Sequence, residues 1–428
     1  MSAILGILNK HAIAIAADSA VTISGANGRK IFNSANKVFA LSKFHPVGVM
    51  LYNSASFMGC PWEVIIKVYR KELGQTNFST LKEYQEDFIR FLRDKNFYSD
   101  ENSKNKYLNS FAQVLLNSLI NESLKGNEGL TKNPNEEEKL QILNLIESKA
   151  DEYIEQFSIS DNCCEDFLNY TYEDFLQSHD IIIQGLLAQI LESYSVTDDM
   201  KDKLKKITYL YLKRKEIFTS FTGLVFVGFG ENEIYPSLIP INVSFAVGDR
   251  LRFYLDENNL TQITNENSST ICPFAQTDVI NTILSGIDPI LDQIYVQNFA
   301  TYFQKYNQII LTAMGDQNPE LSAQIRGIDI QELINDYIAK NMEAKRANYI
   351  TPLMDAVSNL SKEDLAEMAE SLIYLTYLKR RITFAEESVG GPVDVAIISK
   401  GDGFIWIKRK HYFNPNLNQT FFQNYLIS

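Results

Sequence analysis

Residues 2–19 read SAILGILNKHAIAIAADS, and two apolar runs within this stretch predict how the fold begins. The runs 3–8 and 12–17 flank a polar turn at 9–11. Short apolar runs on either side of a polar turn are typical of two buried strands joined as a hairpin. The sequence therefore predicts a buried β-hairpin, with Asp18 at the exit of its second strand.

The length and the net charge of the chain limit its organisation and its partners. The 428 residues allow two or three domains, and a hydrophobic fraction of 45% is ordinary for a globular protein. The formal charge is −13 at pH 7, and a negative surface repels phosphate backbones. The basic cluster Lys408-Arg409-Lys410-His411 is too short to outweigh that repulsion. We therefore expect no nucleic-acid partner.

The spacing of the cysteines and histidines argues against a disulfide framework and against a zinc site. The four cysteines show no paired spacing, and the four scattered histidines form no ligand pair with a cysteine. No apolar run approaches the roughly 20 residues of a membrane span, and residues 1–19 lack the pattern of a signal peptide. We therefore expect a cytoplasmic protein with no metal, no cofactor and no membrane partner.

Strand patterns cluster at the two ends of the chain, and helical patterns lie between them. Apolar stretches around 37–41 and 47–52 predict a second pair of strands, and 60–74 predicts a helix. The stretch 75–215 is acidic and helical by pattern, and strands return in 218–257. Further helices follow, and two strands joined at a Gly-containing turn come near the end. This order favours a sheet core that is assembled from distant segments and covered on both faces.

An N-terminal serine offers a chemical reason for a strand that begins so early in the chain. Removal of Met1 would leave Ser2 with a free α-amine, whose pKa of roughly 7.7–8.0 allows it to accept the hydroxyl proton at pH 7. Nucleophile and base then lie on one residue. A nearby lysine would lower the pKa of the amine, and an aspartate would hold that lysine. Lys37 and Asp18 can take these roles if their strands flank the first strand.

Both ends of the sequence resemble one known family. SAILGILNKHAIAIAADS followed by NKVFAL is similar to the start of proteasome β subunits and of the bacterial ATP-dependent protease HslV. Those proteins begin with a nucleophilic threonine, an apolar hairpin and a later Lys-Val strand. The segment FAEESVGGPVDVAIISKGDGFIWI is similar to their Asp-x-x-Ser-Gly-Gly segment before two strands. The resemblance puts Ser2, Asp18 and Lys37 at the positions of the catalytic threonine, aspartate and lysine.

The resemblance also implies a fold and a domain organisation. It implies an α+β protein of the N-terminal nucleophile (Ntn) hydrolase class, folded as a four-layer αββα sandwich with helical insertions. The proteasome-like core would comprise residues 1–74 and 205–428, with 75–204 as a helical insertion and the helices of 285–350 as a candidate second one. The similarity itself covers roughly residues 2–74, 205–260 and 350–412.

The supporting positions of the family's site are altered in this chain. The glycine whose N–H stabilises the oxyanion in the family falls at Tyr52-Asn53, where a backbone donor can persist. The serine at the family's helix entry falls nearest Gln276. The aspartate before the Ser-Gly-Gly triplet aligns with Glu386, and the serine of the triplet is Val389. The candidate oxyanion and supporting residues are therefore Tyr52, Asn53, Gln276, Glu386, Gly390 and Gly391.

The resemblance predicts an enzyme that cleaves amide bonds, with peptides or proteins as the expected substrates. Two alternatives stay open at this point: a non-catalytic scaffold of the same fold, as proteasome α subunits are, and a small-molecule amidase that uses the same nucleophile. Relatives in this family close into rings, so we expect a homo-oligomer. Whether an ATPase or another accessory partner acts with it stays open.

Overall fold

The computed structural model shows a mixed α+β fold with several antiparallel sheets. It describes residues 3–25, 28–95, 100–127, 134–158, 162–215, 220–314, 319–327, 330–383 and 389–420. None of the helices in these ranges is both long enough and apolar enough to span a bilayer.

The chain divides into two compact units. The first comprises Met1–Tyr52, Val227–Leu238 and Thr261–Ser428, and the second comprises Asn53–Phe226 and Ile239–Leu260. The assignment of 1–74 and 205–428 to a catalytic core, with 75–204 as an insertion, stays a prediction.

The strands are β1 Ala3–Asn9, β2 Ile13–Ala17, β3 Val21–Gly25, β4 Gly28–Phe32, β5 Val38–Ala40, β6 Val47–Asn53, β7 Ser56–Phe57, β8 Cys60–Pro61, β9 Thr222–Gly228, β10 Ser237–Val247, β11 Arg250–Leu255, β12 Thr261–Gln262, β13 Ser269–Ala275, β14 Asp394–Ser399 and β15 Gly403–Lys408. The helices are α1 Trp62–Leu73, α2 Leu81–Lys95, α3 Glu101–Ser123, α4 Glu136–Ser158, α5 Tyr172–Ile190, α6 Asp198–Lys213, α7 Asp278–Ser285, α8 Pro289–Met314, α9 Pro319–Arg326, α10 Ile330–Lys345, α11 Thr351–Ser358 and α12 Lys362–Ile382.

The predicted N-terminal hairpin is confirmed and lies in the interior of a five-stranded sheet of order β13-β1-β2-β14-β15. Every residue of β1 and β2 is buried, in keeping with their continuous apolar sequence. The Asn9 side chain closes the turn, because its Oδ1 accepts from the N–H groups of His11 and Ala12. Such side-chain bonds replace the strong turn dipeptides that the sequence lacks here. The two C-terminal strands, β14 and β15, are also confirmed.

The strands that were not read from the sequence include β13 and the hairpin of β3 and β4, besides the short strands β7, β8 and β12. β13 pairs along its whole length with β1, although Pro273 interrupts its apolar pattern. Proline cannot donate to a ladder, and it is tolerated because β13 is the edge strand of the sheet. The hairpin of β3 and β4 forms a separate two-stranded sheet.

Both faces of the five-stranded sheet are covered inside the first unit. Helix α12 packs on one face through residues such as Leu365, Ala369 and Ile373, which join a buried cluster with side chains of β1, β2 and β14. On the other face, a Cβ atom built on Gly48 of β6 would lie 2.8 Å from Phe404 and 3.0 Å from Ile398. A side chain at position 48 would force Phe404 and Ile398 to move, so glycine favours this close approach of β6 to β14 and β15.

The second sheet has the strand order β11-β10-β9-β6-β5, and β12 pairs with β10. In the second unit, the predicted helix α1 spans Trp62–Leu73, between Pro61 and the capping residue Gly74. Its Trp62 stacks on Phe88 of α2, and Tyr69 meets the same ring edge-on. Phe88 also contacts Phe226 of β9. The amphipathic pattern of α1 therefore buries one face in an aromatic core.

Helices α3 to α6 of the second unit pack around an apolar core that Phe245 and Val247 of β10 also join, and they confirm the helical pattern of this stretch. Arg252 of β11 is buried beside the end of α6. Its guanidinium donates to the carbonyl oxygens of Leu212 and Arg214. These bonds satisfy carbonyls that have no partner within the helix, and they fix the end of α6 to the sheet.

Candidate functional site

The end of the N-terminal hairpin gathers the predicted site residues on the first unit. The antiparallel register pairs Ile4 with Ala17, so that Asp18 comes directly beside Ala3. The Asp18 N–H donates to the Ala3 carbonyl at 3.1 Å, and the Ala3 N–H donates to Asp18 Oδ1 at 2.9 Å. The pairing of β1 with β2 therefore fixes the carboxylate of Asp18 at the start of β1.

The Asp18 carboxylate is buried and accepts four hydrogen bonds. Oδ1 accepts from the Ala3 N–H at 2.9 Å and from Lys37 Nζ at 2.6 Å. Oδ2 accepts from the N–H groups of Ala20, at 3.0 Å, and Gly390, at 3.1 Å. Three chain segments that are distant in sequence thus converge on one side chain. Such bonds, made to a charged acceptor, are stronger than those between neutral groups.

Lys37 is buried immediately before β5, with 4% of its surface exposed. Its backbone carbonyl accepts from the Leu51 N–H at 2.8 Å, which anchors it beside β6. Burial lowers the pKa of Lys37 below the ordinary lysine value of 10.5, although the charge of Asp18 and the hydrogen bond to it act in the opposite direction. The site therefore holds a lysine whose proton is bound less tightly than on the surface.

A second ion pair, of buried Asp394 with partly buried Lys410, lies close enough to influence Lys37, and the sequence analysis missed it. Asp394 begins β14 and pairs in register with Ala17, the residue before Asp18. Its carboxylate accepts from the backbone N–H of Lys410 at 2.8 Å and from Lys410 Nζ. The charges of Lys410 and Asp394 act on the pKa of Lys37 in opposite directions. The available signal was an aspartate inside the apolar run VDVAII, where a charge needs a partner.

Gly390 and Gly391 bring the C-terminal strands against the site. The Gly390 carbonyl accepts from the Ser19 N–H at 3.0 Å, while its N–H donates to Asp18. Gly391 has a φ of +76°, and a Cβ atom there would lie 2.8 Å from Cβ of Asn33 and 3.2 Å from Cβ of Ser19. The close backbone approach predicted for this pair is therefore present, and it requires glycine at 391.

The candidate oxyanion and supporting residues lie at strand ends. Tyr52 stacks on Phe274 of β13, with ring centroids 5.7 Å apart. Asn53 has a φ of +71°, a left-handed conformation that asparagine tolerates better than most residues. Gln276 is buried and follows Ala275, the residue that pairs with Ala3.

Ala275 has a φ of +66°, an unusual conformation for a residue with a Cβ atom. Strained residues of this kind cluster at functional sites, because the surrounding structure must hold them in place. Backbone strain is therefore present opposite the first described residue of β1.

Two predicted site residues, Ser2 and Glu386, lie outside the residues that the structure describes. The described ranges bring together Asp18, Lys37 and Gly390 by direct hydrogen bonds. They hold no group of three or more His, Cys, Asp or Glu side chains that could bind a metal ion. The arrangement can position a cationic amine beside a carboxylate away from solvent, next to the first peptide of β1.

Comparisons with known proteins leave the family of the chain open. No protein-family model and no curated protein matches it. Among solved structures, the chain is similar to a Gly-1 mutant of Anbu from Hyphomicrobium sp. strain MC1. The identity is 11%, the alignment covers 100% of this chain and 96% of that chain, and the TM-score is 0.27. Similarity at this level does not establish a shared fold.

Proposed function

We propose that the chain is an N-terminal nucleophile hydrolase that cleaves amide bonds, with peptide bonds as its main substrates. Ser2 is the nucleophile once Met1 is removed. One observation carries the proposal: the buried Lys37–Asp18 pair is hydrogen-bonded to the N–H of Ala3. That N–H belongs to the peptide bond that joins Ala3 to Ser2. A lysine held beside the residue that bears the amine is what this chemistry needs.

Covalent geometry limits how far residue 2 can lie from the ion pair. Across a peptide bond the preceding Cα is about 2.5 Å from the amide nitrogen. The Ala3 nitrogen is itself 2.9 Å from Asp18 Oδ1, which is 2.6 Å from Lys37 Nζ. These lengths set an upper limit of about 9 Å on the distance between the α-amine of a mature Ser2 and Lys37 Nζ.

In the proposed reaction, the neutral α-amine accepts the proton of the Ser2 hydroxyl while the oxygen attacks the substrate carbonyl. The positive charge of Lys37 lowers the pKa of the amine, and Asp18 holds the lysine. A backbone N–H near Tyr52-Asn53 stabilises the oxyanion. The protonated amine then donates to the leaving nitrogen, and water hydrolyses the acyl-serine ester in a second cycle.

The four-layer αββα sandwich is part of the same proposal. Contacts inside the first unit support three successive layers, namely helix α12, the five-stranded sheet and strand β6. Inside the second unit, α1 and α2 pack on β9 through Phe88 and Phe226, as an outer helical layer would. An experimental structure in which β9 to β11 do not form a second stacked layer would contradict it.

Labelling by a peptide epoxyketone, which reacts with a hydroxyl and an α-amine on one residue, tests the chemistry. Intact mass must first establish that Met1 is absent, because a retained methionine blocks the amine. We expect labelling of the wild type and of Ser2→Thr, and none of Ser2→Ala. Lys37→Met should also lose labelling, whereas Lys43→Met, an exposed lysine in the following turn, should keep it.

The pattern of labelling distinguishes the proposal from its alternatives. Absence of labelling in wild-type protein that lacks Met1 would favour the non-catalytic scaffold. Labelling with hydrolysis of small amides but of no peptide in a diverse library would favour the amidase. Labelling that survives Ser2→Ala would identify another nucleophile and would refute the proposal.

A further inference from the structure

Helix α8 exposes an apolar stripe on the first unit. Five side chains at 3.6-residue periodicity lie within about 60° of one another around the helix. All are more than two-fifths exposed, and Tyr302 is 67% exposed. We call these residues the α8 stripe: Leu291, Tyr295, Tyr302, Tyr306 and Ile309.

The neighbouring helix α10 leaves the side chains of this stripe more than two-fifths exposed. It packs beside the stripe, about 20° from Tyr306 around α8, where the rings of Phe299 and Tyr337 stack with centroids 4.4 Å apart. Lys345 of α10 pairs with Asp292 at 2.5 Å on the same side. No described side chain of α8 or α10 is buried. An apolar stripe that stays this exposed among the described residues is typical of an interaction surface.

The order of residues along the α8 stripe is nearly the same from either end. It reads aliphatic, tyrosine, tyrosine, tyrosine, aliphatic, with Leu291 and Ile309 at the ends and Tyr302 nearest the middle. A two-fold axis near residue 300 would bring Leu291 of one copy to Ile309 of the other, and Tyr295 to Tyr306. Such self-complementarity is the property that an isologous interface requires.

The charge of α8 also favours a second copy of the same chain as the partner. Its 26 residues include one acid, Asp292, and one base, Lys305, so that its net charge is zero. The chain as a whole carries −13 charges, and two copies repel each other at most other surfaces. An uncharged helix face is where two acidic chains can approach at the least electrostatic cost.

The area of the α8 stripe is close to that of a small specific interface. Five side chains of roughly 200 Å² each, about half exposed, offer about 500 Å² per copy. The lower limit for a specific interface is about 600 Å² per partner, and flanking polar residues such as Asn298 supply the remainder. This area suits a reversible dimer rather than an obligate one.

We propose that two copies of this chain dimerise by packing their α8 stripes against each other in antiparallel orientation about a two-fold axis near residue 300. The proposal does not depend on the proposed chemistry. The partner is a second copy, and the contact pairs Tyr295 of each copy with Tyr306 of the other.

Sedimentation equilibrium of the full chain, at concentrations up to about 100 µM, tests the proposal. We expect a monomer–dimer equilibrium, with a dissociation constant that rises at least about 30-fold in Tyr302→Glu and in Ile309→Glu. The matched control is Ile181→Glu, which puts the same charge on an exposed isoleucine of α5, and it should leave the constant within about twofold.

A charge exchange then tests the antiparallel register. Tyr306→Glu alone should weaken the dimer, and the double variant Tyr295→Lys with Tyr306→Glu should restore it, because each introduced base faces the partner's introduced acid. Within one helix the two positions are about 16 Å apart, too far for a direct pair. A monomeric wild type overturns the proposal, as does a dimer that withstands Tyr302→Glu. Failure of the exchange to restore binding overturns the register.

Discussion

Replacement of Asp18 by asparagine tests whether one carboxylate organises the start of β1, the end of β2 and Lys37. The carboxylate accepts two hydrogen bonds at each oxygen. An asparagine of the same shape keeps one acceptor oxygen and presents an NH₂ group in place of the other. Two of the four donors therefore lose their acceptor and face another donor.

The expected loss of stability follows from these four bonds. A buried donor without an acceptor costs about 1–3 kcal/mol, so two donors cost about 3 kcal/mol. Lys37 also loses its charged partner, and removing one member of a buried ion pair costs about 3–5 kcal/mol in all. We expect a loss of about 4 kcal/mol for Asp18→Asn. Lys37→Met leaves three backbone donors on Asp18 and should cost less, about 2 kcal/mol.

Hydrogen exchange measured by mass spectrometry gives the free energy of opening for this sheet alone. The reporter peptides should contain β2 and β14, which pair beside Asp18. A loss of 4 kcal/mol corresponds to roughly a thousandfold faster exchange. Asp336→Asn, on an exposed face of α10, is the control and should change exchange by less than about threefold. Less than tenfold acceleration in Asp18→Asn would refute the structural reasoning.

Three further predictions concern the same part of the molecule. Burial lowers the pKa of Lys37 below 10.5, so at pH values between the lowered pKa and 10.5 the unfolded chain binds more protons than the native chain. In that pH range the contribution of Lys37 to the unfolding free energy therefore rises with pH. The unfolding free energy of the wild type minus that of Lys37→Met should therefore increase towards pH 10.5 in urea titrations, and equal slopes would contradict the shift. Asp394→Asn leaves Lys410 without its charged partner and should cost about 3 kcal/mol in the same titrations, whereas a loss below 1 kcal/mol would show that the pair is not needed. Gly391→Ala should lower the unfolding free energy by at least about 2 kcal/mol, because residue 391 has a positive φ and crowded surroundings. The control is Gly401→Ala, where a Cβ atom meets no other atom within 4 Å, and equal effects of the two variants would contradict the backbone described.

Local pattern was sufficient for much of the fold. Elements whose apolar periodicity extends over several residues could be predicted from the sequence. They are the hairpin of β1 and β2, helix α1, the helices of the second unit, and the strands β14 and β15. β13 was not readable, because Pro273 breaks the pattern and only the pairing with β1 makes the segment a strand. A strand that depends on a partner 260 or more residues away has little local signal.

The candidate site, like the fold, could be predicted only in part from the sequence. The sequence by itself determined that Asp18 lies at the exit of a buried strand and that another strand begins around Lys37, because those facts depend only on neighbouring residues. Only the tertiary structure decided which groups meet at the site. It brings Lys37 Nζ to 2.6 Å from Asp18, directs the N–H of Gly390 to the same carboxylate, and pairs Asp394 with Lys410. Buried charges need partners, and which partners they find depends on how distant strands are brought into register, which no local pattern encodes.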